Sequence, residues 1–123
     1  MSEDPRRARG REAEARAAAY LERQGFAIVA RNVRAGGVEL DLVAVRGALV
    51  AFVEVKARRG RAHGAPEEAV DAPKRARLAR GAAAWLAASP RRYTRIRFDV
   101  VTCEPAGDGW HVRHWPGAFD AGD

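Results

Sequence analysis

The sequence predicts an α/β fold with a mixed central sheet flanked by helices, in the order α-β-β-β-α-β with a small strand after it. Three observations predict it. An Ala-rich amphipathic segment opens the chain. Three strand-like runs follow with only short turns between them, and a second helical run separates the third strand from a fourth. Short connections force neighbouring strands to run antiparallel, whereas a strand–helix–strand unit makes a right-handed crossover with parallel pairing.

The first helix spans about Pro5 to Gln24 and ends at Gly25. Gly10, Ala13, Ala17, Tyr20 and Leu21 form its apolar stripe at spacings of three and four. Glu14 lies on the flank of that stripe, whereas Glu12, Arg16 and Arg23 face away. Phe26 to Arg34 reads as a strand and Ala35 to Gly37 as a turn. Val38 to Arg46 and Leu49 to Arg58 are the next two strands, joined at Arg46-Gly47. Arg58 to Pro66 is a basic, glycine-rich loop, followed by a helical turn at Glu67 to Val70.

Asp71 has the character of an N-cap, with Pro73 in the first turn of a helix that runs to about Ser89, before Pro90. Leu78, Ala82, Trp85 and Leu86 form its apolar face, and Lys74, four residues before Leu78, shares it. Arg95 to Cys103 is the fourth strand, and Trp110 to Trp115 a short fifth. Residues 1–8 and 116–123 read as loose ends of one domain spanning 1–123.

At 123 residues, 47% of them hydrophobic, the chain has room for one real core. It contains no run of eighteen apolar residues, which argues against a membrane partner, and the opening segment lacks the apolar stretch of a secretory signal. A single cysteine, Cys103, excludes an internal disulfide and a cysteine-based zinc site. These features predict a cytoplasmic chain. Charge is spread unevenly: residues 1–99 carry 21 basic and 12 acidic residues, residues 100–123 one basic and four acidic. The basic excess points to a polyanionic partner, nucleic acid first, against a merely solvated Arg-rich surface. Of the 22 basic residues only Lys56 and Lys74 are lysine. A compact ammonium with a shiftable pKa differs from a wide, permanently charged guanidinium, so these positions mark either a requirement or chance.

The stretch Val38–Gly60 is mostly apolar, yet contains Glu39, Asp41, Glu54 and Lys56. Strand alternation sets Val38, Leu40, Leu42 and Ala44 on one face and Glu39 and Asp41 on the other. On the next strand Val50, Phe52, Glu54 and Lys56 share a face. Adjacent strands therefore bring Asp41, Glu54 and Lys56 into one cluster. A buried salt-bridge network, a solvated polar face and a metal site are the competing readings. The network is short of positive charge, and the apolar neighbours argue that the face is covered. A hard divalent cation, Mg²⁺ or Mn²⁺, takes one or two carboxylates and leaves positions for water and phosphate, which neutralises the surplus.

An acidic residue followed by Glu-x-Lys on the next strand, Asp41 then Glu54-Val55-Lys56, resembles the PD-(D/E)XK nuclease pattern. Over Gly10 to Val101, the ordered series from "GREAEARAAAYLERQGFAIVARNVR" through "GGVELDLVAV", "LVAFVEVKAR" and "AVDAPKRARLARGAAAWL" to "RFDVV" resembles the YraN-type family of small bacterial proteins. These are similar to archaeal Holliday junction resolvases and have the restriction-endonuclease-like fold. The resemblance implies that Glu14, Asp41, Glu54 and Lys56 are catalytic, with Asp41 and Glu54 on the metal and Glu39 and Lys74 as accessories. Both lysines fall on motif positions. One departure is Val38, where the family usually carries Gly, and it touches Glu39 more than Asp41.

The expected function is Mg²⁺- or Mn²⁺-dependent phosphodiester hydrolysis in structured or branched DNA. A nucleic-acid-binding module of the same fold that does not cut is the rival, and an interaction protein with a structural polar cluster a third reading. A homodimer follows by analogy with the resolvases. Arg58, Arg59 and Arg61 are candidates for gripping phosphates, against an ordinary solvated loop. His63, His111 and His114 form no zinc site, since the last two fall on opposite strand faces. Trp85, Trp110 and Trp115 are expected to pack, Asp99 to pair with an Arg, and Cys103 to act as a small buried hydrophobe.

Overall fold

The computed structural model describes residues 4–58 and 70–120. Arg59, Arg61, His63 and most of the expected turn at 67–70 lie outside them. Helix α1 covers Pro5–Arg23. The Asp4 carboxylate accepts the Arg6 N–H at its start, with Pro5 pre-set for the first turn. At its end Gly25, with φ +92°, lets the Phe26 N–H reach back to the Leu21 carbonyl and the Gly25 N–H to that of Glu22. This Schellman arrangement satisfies the last carbonyls and turns Phe26 under the helix.

Strands β1 (Ala27–Ala35), β2 (Val38–Arg46) and β3 (Leu49–Ala57) form the expected antiparallel meander. Helix α2 (Ala72–Ala88) then crosses to β4 (Arg95–Ala106), which pairs parallel to β3, and β5 (Gly109–Phe119) returns antiparallel. Spatial order equals chain order. The Asp71 carboxylate accepts the Lys74 N–H as N-cap of α2, and Ser89 closes the helix before Pro90. The five-stranded mixed sheet with its two helices is compatible with a restriction-endonuclease-like fold.

Each sheet face is covered by one helix. Ala13, Ala17, Ala18 and Leu21 of α1 pack on Leu42, Ala44, Ala51, Val53 and Val101. Leu78 and Ala82 of α2 pack on Val43, Val50, Phe52, Phe98 and Val100. Strand β3, central and covered on both sides, buries every residue from Leu49 to Glu54. Helix α2 approaches closely because Gly81 has no side chain. A Cβ there would stand 3.0 Å from Val38 Cβ, 3.1 Å from Leu40 Cδ2 and 3.3 Å from the Ala35 carbonyl oxygen.

Strict alternation fails in β2. Val38 and Leu40 pack under α2, whereas Leu42 and Ala44, of the same parity, pack under α1. The four do not share one face as the sequence pattern suggested. Strand β1 makes the same switch. A register shift separates Ile28 from Ala30, and Asn32 adopts φ +48°, the one non-glycine with positive φ among the described residues. Ala30 and Val33, of opposite parity, consequently both face α2. The two strands break together, with Asn32 and Asp41 standing opposite between the Arg31–Leu42 and Val33–Leu40 pairs.

The fifth strand is longer than its sequence signal. It runs to Phe119, so residues 116–119 belong to the sheet where a loose end was expected. Phe119 is buried and stacks on Phe98 with ring centroids 5.0 Å apart. Gly117, at φ +60°, donates its N–H to Asp99 Oδ1 and bends the strand past Pro116. Helix α1 likewise begins at Pro5, within the segment read as a loose start.

Candidate active site

The β2–β3 ladder stops at the Leu42–Val53 pair. Beyond it the strands part, and the Val55 N–H is taken by Asp41 Oδ2 at 2.9 Å instead of by a β2 carbonyl. That bond anchors the Asp41 carboxyl in the opening. Glu54, 8% exposed, lies beside it. Burial first, then the charge of Glu54, pushes the Asp41 pKa up to about 7, against the lowering effect of the Val55 N–H. Glu14 adds to the rise, so α1 brings a third carboxylate within electrostatic reach.

Both lysines converge on Glu54 Oε1: Lys74 Nζ at 3.0 Å, from the first turn of α2, and Lys56 Nζ at 3.8 Å, from β3. They do not share charge equally. Burial and the neighbouring Lys74 ammonium lower the pKa of Lys56. Burial also opposes the charge on Lys74, but its hydrogen bond with Lys56 and the charges of Glu54 and Asp41 prevail and raise it. Lys74 is thus the firm cation, and Lys56 the amine that more readily releases its proton.

The structure brings together Asp41, Glu54, Lys56 and Lys74, with Glu14 at the margin. Glu14 Oε1 accepts from Asn32 Nδ2 at 3.2 Å, a partner the sequence reading passed over inside a strand. The available signal was an Asn, a residue that tolerates the left-handed region, between two arginines of that strand. Glu39 is exposed at the start of β2, opposite Arg34, and makes no hydrogen bond or ion pair with the cluster. Arg58 follows β3 directly, its N–H donating to the Cys103 carbonyl at 2.8 Å.

The donor set suits a hard cation. Two carboxylates, one of them held up to about 7 by burial first and then by the charge of the other, sit where the ladder has opened, with the Val55 N–H on Asp41. Among the described residues no three His, Cys, Asp or Glu side chains converge in metal-binding geometry. Asp41 and Glu54 could hold an ion that needs only one or two carboxylates and keeps several waters, as Mg²⁺ does.

A second buried polar group lies on the opposite sheet face. Asp99, fully buried, accepts two bonds from Arg97 at 2.8 and 2.9 Å, one from the Gly117 N–H at 3.0 Å, and stands 2.8 Å from His114 Nε2. Burial alone would raise its pKa, yet His114, Arg97 and Gly117 together lower it. The expected Arg partner of Asp99 is present, and His114 is an addition. His111 points the other way, to Arg113, so the two histidines are apart as expected. Trp85 meets Phe52 edge-on, Trp110 donates to Glu12, and Cys103 is buried, its thiol pushed up to about 11 by burial. No helix among the described residues is long and apolar enough to cross a membrane.

Comparison with known proteins agrees with the motif series. The family model described as "Uncharacterised protein family UPF0102" matches residues 13–103. A UPF0102 protein of Syntrophotalea carbinolica is 49% identical over 113 residues, covering 90% of each chain. One of Halorhodospira halophila is 48% identical over 91% of this chain and 85% of its own. One of Anaeromyxobacter dehalogenans is 45% identical over 95% of this chain and 87% of its own. With the Asp41 and Glu54-x-Lys56 geometry standing inside the matched segment, the chain belongs to the UPF0102 family, the YraN-type family.

Proposed function

We propose that the chain is a divalent-metal-dependent endonuclease that hydrolyses phosphodiesters in structured or branched DNA. The observation that carries this reading is the side-by-side placement of Asp41 and Glu54 where β2 and β3 part, with Lys56 on the same face. Asp41, Glu54 and the Val55 carbonyl would hold Mg²⁺ or Mn²⁺, which supplies phosphate polarisation and a more acidic water. Lys56, with its lowered proton affinity, is suited to receive a proton from an attacking water and to face the developing charge. Lys74, the nearer of the two ammonium groups on Glu54, balances its charge. The basic excess over residues 1–99 supports a phosphate-rich partner.

A second reading is a nucleic-acid-binding module that does not cut, and the 3.0 Å Lys74–Glu54 ion pair favours it, since Glu54 already has a cationic partner. Labelled junction, flap, duplex and single-stranded substrates, incubated at low salt with Mg²⁺, Mn²⁺ or EDTA, separate the two. Metal-dependent cleavage with a preference for branched substrates supports the enzyme. Retention without products under all metal conditions supports the binder.

A further inference from the structure

We infer that Asn32 is a positioning residue that fixes the Glu14 carboxylate toward the metal-binding carboxylates, an inference that rests on the nuclease reading above. Three observations carry it. Asn32 sits at φ +48° in the middle of a nine-residue strand, a conformation a side chain adopts at a cost when nothing else requires it. It stands opposite Asp41 in the register, at the point where β1 and β2 change faces together. Its amide nitrogen donates to Glu14 Oε1 at 3.2 Å, across eighteen residues of chain.

The left-handed backbone and the amide do separate things. The backbone conformation takes Val33 and Ala35 to the α2 face after Ala30, so β1 follows the switch of β2. Glycine does that as well as asparagine, and with less strain. The amide is what glycine lacks. Glu14 is half-buried at the edge of the α1 contact with the sheet, and Asn32 is its one hydrogen-bond partner among the described residues. Without that donor the carboxylate is free to turn into water. A group that orients a carboxylate near a cation typically accounts for 10- to 100-fold in affinity or activity.

Mn²⁺ affinity by titration calorimetry, DNA cleavage and thermal stability are to be measured for Asn32→Gly, Asn32→Asp and Glu14→Gln, alone and combined. Asn32→Gly is expected to keep or raise stability while weakening Mn²⁺ by roughly tenfold. Asn32→Asp keeps size and backbone preference but sets two carboxylates together, and is expected to be worse for cleavage. In a Glu14→Gln background, Asn32→Gly is expected to have no further effect on Mn²⁺, which separates action through Glu14 from a role in the strand alone. Wild-type Mn²⁺ affinity and cleavage in Asn32→Gly, or additive losses in the double variant, would overturn the inference and leave the nuclease reading intact. A wild-type chain that neither binds Mn²⁺ nor cuts would remove both.

Discussion

Asp41 Oδ2 accepts the Val55 N–H at 2.9 Å, so a side chain of one strand takes the backbone donor that the ladder of its neighbour abandons. The same carboxyl is raised from 3.8 to about 7 by burial and by Glu54. Between those values the folded chain holds a proton that the unfolded chain has lost. The sign is opposite to that of an ordinary ion-paired carboxylate. Stability from this group is fully present below the ordinary value of 3.8 and is lost as pH rises through 7. Without divalent metal, Asp41→Asn should therefore gain on the wild type as pH rises from about 5 to about 8. Urea unfolding in EDTA across that range checks it; a constant difference between the two proteins would count against the raised carboxyl.

Metal should act on the same pair. Mg²⁺ or Mn²⁺ binding only to the folded state raises the melting temperature by mass action, by about 2.7 kcal/mol of stability at a hundred times Kd. Asp41→Asn combined with Glu54→Gln should abolish that rise and leave the metal-free protein as stable or more so, since the repulsion is gone. An undiminished metal response in the double variant places the ion elsewhere.

Lys56 and Lys74 both touch Glu54 Oε1, yet they should respond differently to arginine. At Lys56 the guanidinium cannot give up its proton, so Lys56→Arg should keep fold and DNA binding and lose turnover by roughly a hundredfold or more. At Lys74 only a cation beside Glu54 is needed, and Lys74→Arg should retain most activity. Single-turnover cleavage with matched binding assays reads both; wild-type turnover in Lys56→Arg removes the proton-transfer role.

Asp99 should matter for stability, not for cutting. Asp99→Asn leaves Arg97 and His114 without their anion in a buried place, a loss of about 3 kcal/mol or more. Because the folded-state pKa of Asp99 is lowered, its contribution is present above the unfolded value and lost as pH falls through the folded one. Denaturant midpoints of the wild type and variant should converge in acid. Equal midpoints at neutral pH would show that the cluster contributes nothing.

Much of this was legible in the chain. Asp71, Pro73 and Pro90 carry strong local signals, and α2 begins and ends where they place it. Glycine pairs and single glycines marked the hairpin turns for the same reason. Glu54 and Lys56 share a face because β3 alternates without interruption. Periodicity misled in β2, where an alternation assumed to be continuous breaks at Asp41. A break is a property of two strands at once and leaves no trace in either one's apolar pattern. Asn32 was equally hidden, since its meaning depends on Glu14, eighteen residues earlier. The tail failed differently: Pro116 and Gly117 look like the end of a strand, and only the distant Phe98 and Asp99 hold the chain in the sheet.

Gly81 has no chemistry, yet it sets the distance at which chemistry is possible. Helix α2 is seated by the contact of this glycine with Val38, Leu40 and the Ala35 carbonyl, and Lys74 rides on the same helix two turns away. One added methyl would crowd Val38 and Leu40, so that the contact must give by a few tenths of an ångström and the seat of the helix that carries Lys74 shifts with it. Proton affinity in the cluster would then change without any charged residue being altered. The site is tuned mechanically as well as electrically, and screens for altered activity in this chain should score small-residue packing positions alongside its acids and bases.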